Sequence, residues 1–269
     1  MRGAIVGDII GSAFIHSPQS TTNFQLLKPF SSYTDDTVLT IATADAILKR
    51  KAYDQCLKEW VQRYPKAGYQ AAFLEWALAD HTEVYKSTGD GAARRVSPIG
   101  FAASSLEEAI KEAKAATIIT HPSDEKIKAS QAFCGSIFLA KSGQNKKVIR
   151  AFIEDELRIV LPKAFSKDCA DKLKEKYQSP VPCAIMAFLN SNSFEDAIRK
   201  AIWLNGPSNT IASITGAVAQ AYYQHIPKSI IRKSLARLSS DLETVLSDFE
   251  DKFCQGFLIE KKEIQFNFH

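Results

Sequence analysis

Apolar residues recur at intervals of three and four along most of the chain, which is the period of an α-helix. Across residues 34–50 the apolar positions Val38, Ile41, Ala42 and Leu48 follow Thr34 and two acidic residues, which suit a helix N-terminus. The same pattern predicts helices over residues 55–64, 68–78, 105–117, 124–140, 146–155, 181–190, 193–204, 208–223 and 229–253. No long polar/apolar alternation occurs, and no Asn-Gly or Asp-Gly pair joins two β-rich runs. The pattern therefore predicts an all-α fold, with residues 259–268 as the one short β or extended candidate. Gly3, Gly7 and Gly11 fall at intervals of four on one face of a first helix, and Ser213, Ala217 and Ala221 repeat that small-residue spacing. Glycine costs about 1 kcal/mol against alanine inside a helix, so such a stripe implies another backbone passing close by. Tight packing of central helices and rigid support of a site are both consistent with it.

No repeat, low-complexity tract or polar linker divides the sequence, so one domain over residues 1–269 is expected. The Ser-, Thr-, Gln- and Pro-containing stretch 15–32 is a long connection of the kind that is usually functional or disordered. With 45% hydrophobic and 24% charged residues, the composition excludes collagen-like, disordered and disulfide-scaffold classes. A net charge of +4 without a dense basic block argues against a nucleic-acid partner. The five cysteines include no Cys-x-x-Cys pair, so they read as free thiols in a reducing, cytoplasmic-type compartment. Asp8 interrupts the apolar stretch 4–14, which excludes an N-terminal signal peptide, and that stretch is too short for a membrane segment.

Three segments carry candidate chemistry. In Tyr33-Thr34-Asp35-Asp36-Thr37, adjacent carboxylates beside hydroxyls can hold a hard cation or act as acid and base. They can equally cap and start a helix. In Ser87-Thr88-Gly89-Asp90-Gly91, backbone N–H groups can converge on an anion, with Arg94 and Arg95 adding charge. A helix C-cap and turn would use the same residues. His121, after Thr120 and before Pro122, is open to a structural or a site role.

Taken in order with Gly7-Asp8-Ile9-Ile10-Gly11-Ser12, these segments resemble the ADP-ribosylglycohydrolase family. The resemblance spans nearly the whole chain. It includes Ser-x-Gly-x-Gly-Ala-Ala-x-Arg-Val-Ser-Pro-Ile-Gly from Ser87 to Gly100, the Thr120-His121 pair and a closing helix at Thr210-Ile211-Ala212-Ser213-Ile214-Thr215-Gly216. It implies an all-α, orthogonally packed multi-helix domain that cleaves the bond from ADP-ribose C1″ to a modified group, in most members with two magnesium ions. By resemblance, Thr34, Asp35 and Asp36 correspond to half of the metal site, Ser87 to Gly91 to the loop cradling the diphosphate, and His121 to the wall of the ADP-ribose cleft.

The chain departs from this pattern where a late helix usually opens with Gly-Gly-Asp-Thr-Asp-Thr. Here the residues are Asn205-Gly206-Pro207-Ser208-Asn209-Thr210, and both carboxylates are gone. Ile15 stands for a common gating glutamate, Asp90 for an asparagine in the loop, and Pro122 and Ser123 follow the Thr-His pair. Two remaining carboxylates cannot balance two magnesium ions, so no cofactor is expected, or at most one weakly bound Mg²⁺. The expectation is a monomeric hydrolase that removes mono-ADP-ribose from a protein side chain, arginine foremost, without a binuclear metal centre. Asp35, Asp36 and Asp90 are its candidate catalytic residues. Thr34, Ser87, Thr88, Gly89, Gly91, Arg94, Arg95, His121 and Asn209 are its candidate substrate-binding residues. The alternative is an inactive protein that binds the ADP-ribose moiety.

Overall fold

The helical period is realised across the described residues. A computed structural model describes residues 1–79, 85–87, 89 and 91–254, and every regular element among them is a helix. In order these are α1 (Arg2–Ser12), α2 (Asp35–Lys49), α3 (Tyr53–Arg63), α4 (Ala71–Leu78), α5 (Gly91–Arg95), α6 (Ser97–Ala102), α7 (Leu106–Ile118) and α8 (Asp124–Lys141). Then come α9 (Lys146–Ala151), which runs into a π-helical turn (Phe152–Glu156), α10 (Lys167–Tyr177), α11 (Val181–Leu189) and α12 (Phe194–Trp203). The last three are α13 (Ser208–Tyr223), α14 (Lys228–Leu235) and α15 (Ser240–Phe253). One hydrophobic cluster extends from Met1 to Cys254 and draws on nearly all of them.

Local chemistry sets the boundaries. Thr34, Ser105, Ser166 and Ser193 each accept a backbone N–H of the helix that follows. Arg50, Gln178 and Gln224 end helices in the left-handed conformation. The single helix expected over 229–253 is in fact two, α14 and α15. Between them Arg237 turns aside, its Nε donating to Ser31 O at 2.7 Å and a terminal nitrogen to Lys28 O at 3.0 Å. Helix α10 escapes the periodicity reading because only Ala170 and Leu173 of its residues are buried. The candidate at 259–268 lies outside the described residues, and no described helix is long and apolar enough to cross a membrane.

At the centre, α1 and α13 touch backbone to backbone. A Cβ on Gly3, Gly7 or Gly11 would stand 2.2, 2.1 or 2.4 Å from the carbonyl oxygens of Gly216, Ala212 and Ser208. The residues of α13 nearest the stripe are Ser208, Asn209, Ala212, Ser213, Gly216 and Gln220, so of the small residues at 213, 217 and 221 it is Ser213 that stands among the nearest. The long connection after α1 is held to the surface by main-chain hydrogen bonds. Lys167 donates to Gln19 O, Trp203 to Ser20 O, and Arg199 to Thr22 O and Phe24 O.

Candidate functional site

The α1–α13 contact fixes the first turn of α13 beside the first turn of α2, and Asp8 of α1 lies between them. Asp8 is fully buried. Its Oδ2 accepts the Thr34 N–H at 2.8 Å and the Thr37 hydroxyl at 2.6 Å, and its Oδ1 accepts the Thr34 hydroxyl at 2.7 Å. A carboxylate from one helix thus satisfies orphan donors at the start of another, where the helix dipole favours negative charge. Asn209 Nδ2 lies 3.2 Å from Thr34 Oγ1, 3.3 Å from Asp36 Oδ2 and 3.5 Å from Asp8 Oδ1. Because all three neighbours can accept, the amide turns its NH₂ to them. Thr210 Oγ1 donates to Asp36 Oδ2 at 2.8 Å.

The two adjacent aspartates differ in their surroundings. Asp36 is fully buried and held by Asn209, Thr210 and Arg94, whose Nη1 is 3.1 Å from Asp36 Oδ1. Asp35 retains 15% side-chain exposure, with Arg94 Nη1 3.7 Å from its Oδ2. Of the two candidate catalytic aspartates, Asp36 is enclosed by its own partners and Asp35 is the one with exposed side-chain surface. Burial first, then the neighbouring Asp36, pushes the Asp35 carboxyl up to about 7, against the opposing pull of Arg94. Burial and Asp36 likewise raise Asp8 to about 6.

Helix α5 links this cluster to the glycine-containing loop, with Arg94 near one end and Gly91 at the other. Thr40 Oγ1 donates to Arg94 O at 3.3 Å and ties α5 to α2. Gly89 N donates to Ser87 Oγ at 3.0 Å, and Ser87 N donates to Thr120 O at 2.7 Å, which docks the loop on the end of α7. A Cβ on Gly91 would lie 3.3 Å from His121 Cε1. Arg95 does not join Arg94. It is fully buried and donates to Ala116 O at 3.0 Å and Thr120 Oγ1 at 2.8 Å, so its expected place at the substrate is corrected to support of Thr120. Thr120 Oγ1 in turn lies 2.7 Å from His121 Nδ1, while the buried Nε2 has no hydrogen-bond partner among the described residues. Burial, then Arg95, Lys126 and Arg94, push His121 down to about 3, so the ring is neutral at neutral pH. Of the remaining candidates, Thr34 and Asn209 lie in the aspartate cluster and Ser87, Gly89, Gly91 and His121 in the loop region, whereas Thr88 and Asp90 lie outside the described residues.

Sequence reasoning missed Asp8 as a site residue, along with Thr37 and Thr210. A carboxylate in the middle of an otherwise apolar, glycine-striped helix was the available signal, since such a group is buried only when partners are supplied.

Nearly the whole chain carries a known family pattern. The family model described as ADP-ribosylglycohydrolase matches residues 1–257. The chain belongs to the ADP-ribosylglycohydrolase family. Among curated relatives, human ADP-ribosylhydrolase ARH3 is 25% identical over 312 aligned positions, covering 85% of this chain and 86% of that protein. The ADP-ribosylarginine hydrolase Tri1 of Pseudomonas putida (strain GB-1) is 23% identical, covering 83% of this chain and 69% of that one. A solved structure titled ADP-ribosylglycohydrolase-related protein complex superposes with a TM-score of 0.70 at 21% identity, covering 93% and 94% of the two chains, and shares the fold. Family membership supports ADP-ribosyl hydrolysis as the reaction class.

Two magnesium ions, usual in the family, do not fit this donor set. The oxygens of Asp36 are taken by Arg94, Asn209 Nδ2 and Thr210 Oγ1, all of which present hydrogen-bond donors. The first turn of α13 supplies no carboxylate, since Pro207, Ser208 and Asn209 stand there. Metal ligands must present lone pairs, and a guanidinium or an amide NH₂ has none to offer.

Proposed function

We propose that this protein hydrolyses the C1″ glycosidic bond between ADP-ribose and a protein side chain, arginine foremost, without a binuclear metal centre. The observation that carries this reading is Asp35, the solvent-facing member of a carboxylate cluster otherwise sealed by hydrogen bonds. Asp36 orients Arg94 and Asn209, and Asp8 holds the first turn of α2. In the reaction the water oxygen bonds to C1″ and its proton passes to Asp35. The C1″–N bond breaks with its electron pair going to the guanidine nitrogen, which takes up a proton as arginine is restored. A carboxyl raised toward neutrality can accept that proton and release it again near pH 7. The diphosphate is assigned to the loop from Ser87 to Gly91, with Thr88 and Asp90 in it, and the sugar side of the cleft to His121. The arginine linkage is supported by the likeness to the Pseudomonas putida ADP-ribosylarginine hydrolase.

A second reading is favoured by one feature. Asp8, Thr34 and Asp36 form a complete capping network, which would persist in a protein that binds ADP-ribose without turnover. Release of ADP-ribose from an ADP-ribosylated arginine protein, in the presence of a chelator, separates the two. The hydrolase reading predicts release that survives chelation and falls roughly 100-fold or more in Asp35→Asn. Its pH profile rises with a midpoint near 7, set by Asp35. Binding without release supports the second reading, and strict magnesium dependence overturns the metal-free one.

A further inference from the structure

We propose that the Arg94 guanidinium is the resident cation of this site, standing against Asp35 and Asp36 so that no divalent ion can be held there. The inference rests on the hydrolase reading only for its consequence in catalysis; the exclusion of a cation stands on geometry. Arg94 Nη1 lies 3.1 Å from Asp36 Oδ1 and 3.7 Å from Asp35 Oδ2, so one fixed positive charge serves both carboxylates. The group is anchored at its base, because Thr40 Oγ1 holds the Arg94 carbonyl and the flanking Ala92 and Ala93 are buried. Adjacent residues on a helix point about 100° apart, and the tandem arginines use this. Arg95 is committed to Ala116 and Thr120, while Arg94 alone reaches the aspartates. Arg95 falls on the arginine of the Ser87–Gly100 pattern, and Arg94 on its variable position.

A dication approaching Asp35 and Asp36 meets a like charge already in place and an inner oxygen engaged by Thr210 and Asn209. A guanidinium balances charge without offering a coordination position, so activation of water falls to Asp35 instead. Arg94 is thus a positioning residue, acting on the reaction through the two aspartates.

The test is Mn²⁺ binding, followed by electron paramagnetic resonance, to the full chain as wild type, Arg94→Lys and Arg94→Met. Wild type and Arg94→Lys are expected to leave Mn²⁺ free. Arg94→Met is expected to bind one ion at least about tenfold more tightly, and the added change Asp35→Asn to abolish that site. Equal Mn²⁺ affinity in wild type and Arg94→Met overturns the proposal, as does absence of binding in both. Should Arg94→Met fail to fold by circular dichroism, Arg94→Gln replaces it, and tight Mn²⁺ binding by wild type alone is enough to overturn the idea. In a parallel arm with chelator, Arg94→Met is expected to lose about 100-fold in kcat with little change in KM. Absence of ADP-ribose release by wild type sinks the hydrolase reading and leaves the Mn²⁺ arm to decide the role of Arg94.

Discussion

His121 and Asp35 pull the pH dependence of stability in opposite directions. His121 has an ordinary value of 6.5 and is pushed to about 3 by burial and nearby cations. Its contribution is therefore fully present above about 6.5 and is lost as the pH falls toward 3, at roughly 1 kcal/mol per pH unit. Urea midpoints between pH 7 and 5 should drop less in His121→Gln than in wild type. Asp35 is raised from 3.8 to about 7, so its effect is favourable at low pH and is lost as the pH rises through 7. Asp35→Asn should consequently stabilise the protein at pH 8 by about 2 kcal/mol, with the gain fading as the pH falls from 7 to about 4, even as it removes activity. Thr34, Asp35, Asp36 and Asn209 were legible at this scale because hydroxyls, acids and amides at helix starts draw notice. Asp8 was not, because a lone acid inside a helix shows its partners only after folding. The motif separates Arg95, on its arginine, from Arg94, on its variable position, but not the directions of the two side chains, which are set by one step of helical rotation.

At the scale of the element, the glycine stripe is both packing surface and site support. A Cβ at position 7 would stand 2.1 Å from Ala212 O, and one at position 11 would stand 2.6 Å from the Asn209 Cα. Both obstacles are backbone and cannot turn away. Gly7→Ala should lower stability by about 3 kcal/mol in chemical denaturation. Gly11→Ala, at the end of the contact, should fold but lose activity, because it pushes the first turn of α13 off Asp8 and Asp36; initial rates alongside a melting curve will show it. The stripe was readable because glycine is costly in a helix. The break between α14 and α15 was not, because Ala236-Arg237-Leu238-Ser239 contains neither glycine nor proline and the interruption is set by distant carbonyls of Lys28 and Ser31.

Across the whole molecule, the site draws one side chain or one turn from each of α1, α2, α5 and α13, elements widely separated in sequence but packed into one hydrophobic cluster. Such a site exists only in the folded chain. Free ADP-ribose at about a hundredfold excess over its Kd should then stabilise the protein by about 2.7 kcal/mol, read as a rise in Tm of roughly 5–10 °C. No rise would remove ADP-ribose from the cleft under either functional reading. The helical class followed from the 3.6-residue period alone, and the family from the order of its motifs. The meeting of the four helices did not, since it depends on packing that a linear pattern does not encode.

The connection after α1 is gripped almost wholly through its main chain: Lys167, Trp203, Arg199 and Arg237 all bind peptide oxygens of that stretch, and Asn205 receives the N–H of Gln19. Side chains matter chiefly in its second half, where Phe24 packs on Phe14 and beneath Arg199, Leu26 is buried in the core and the Ser31 hydroxyl accepts the Lys28 N–H. Residues 15–23, held by their peptide groups and mostly exposed, are therefore the part of the segment where a sequence could be grafted or randomised without retuning the scaffold that carries it.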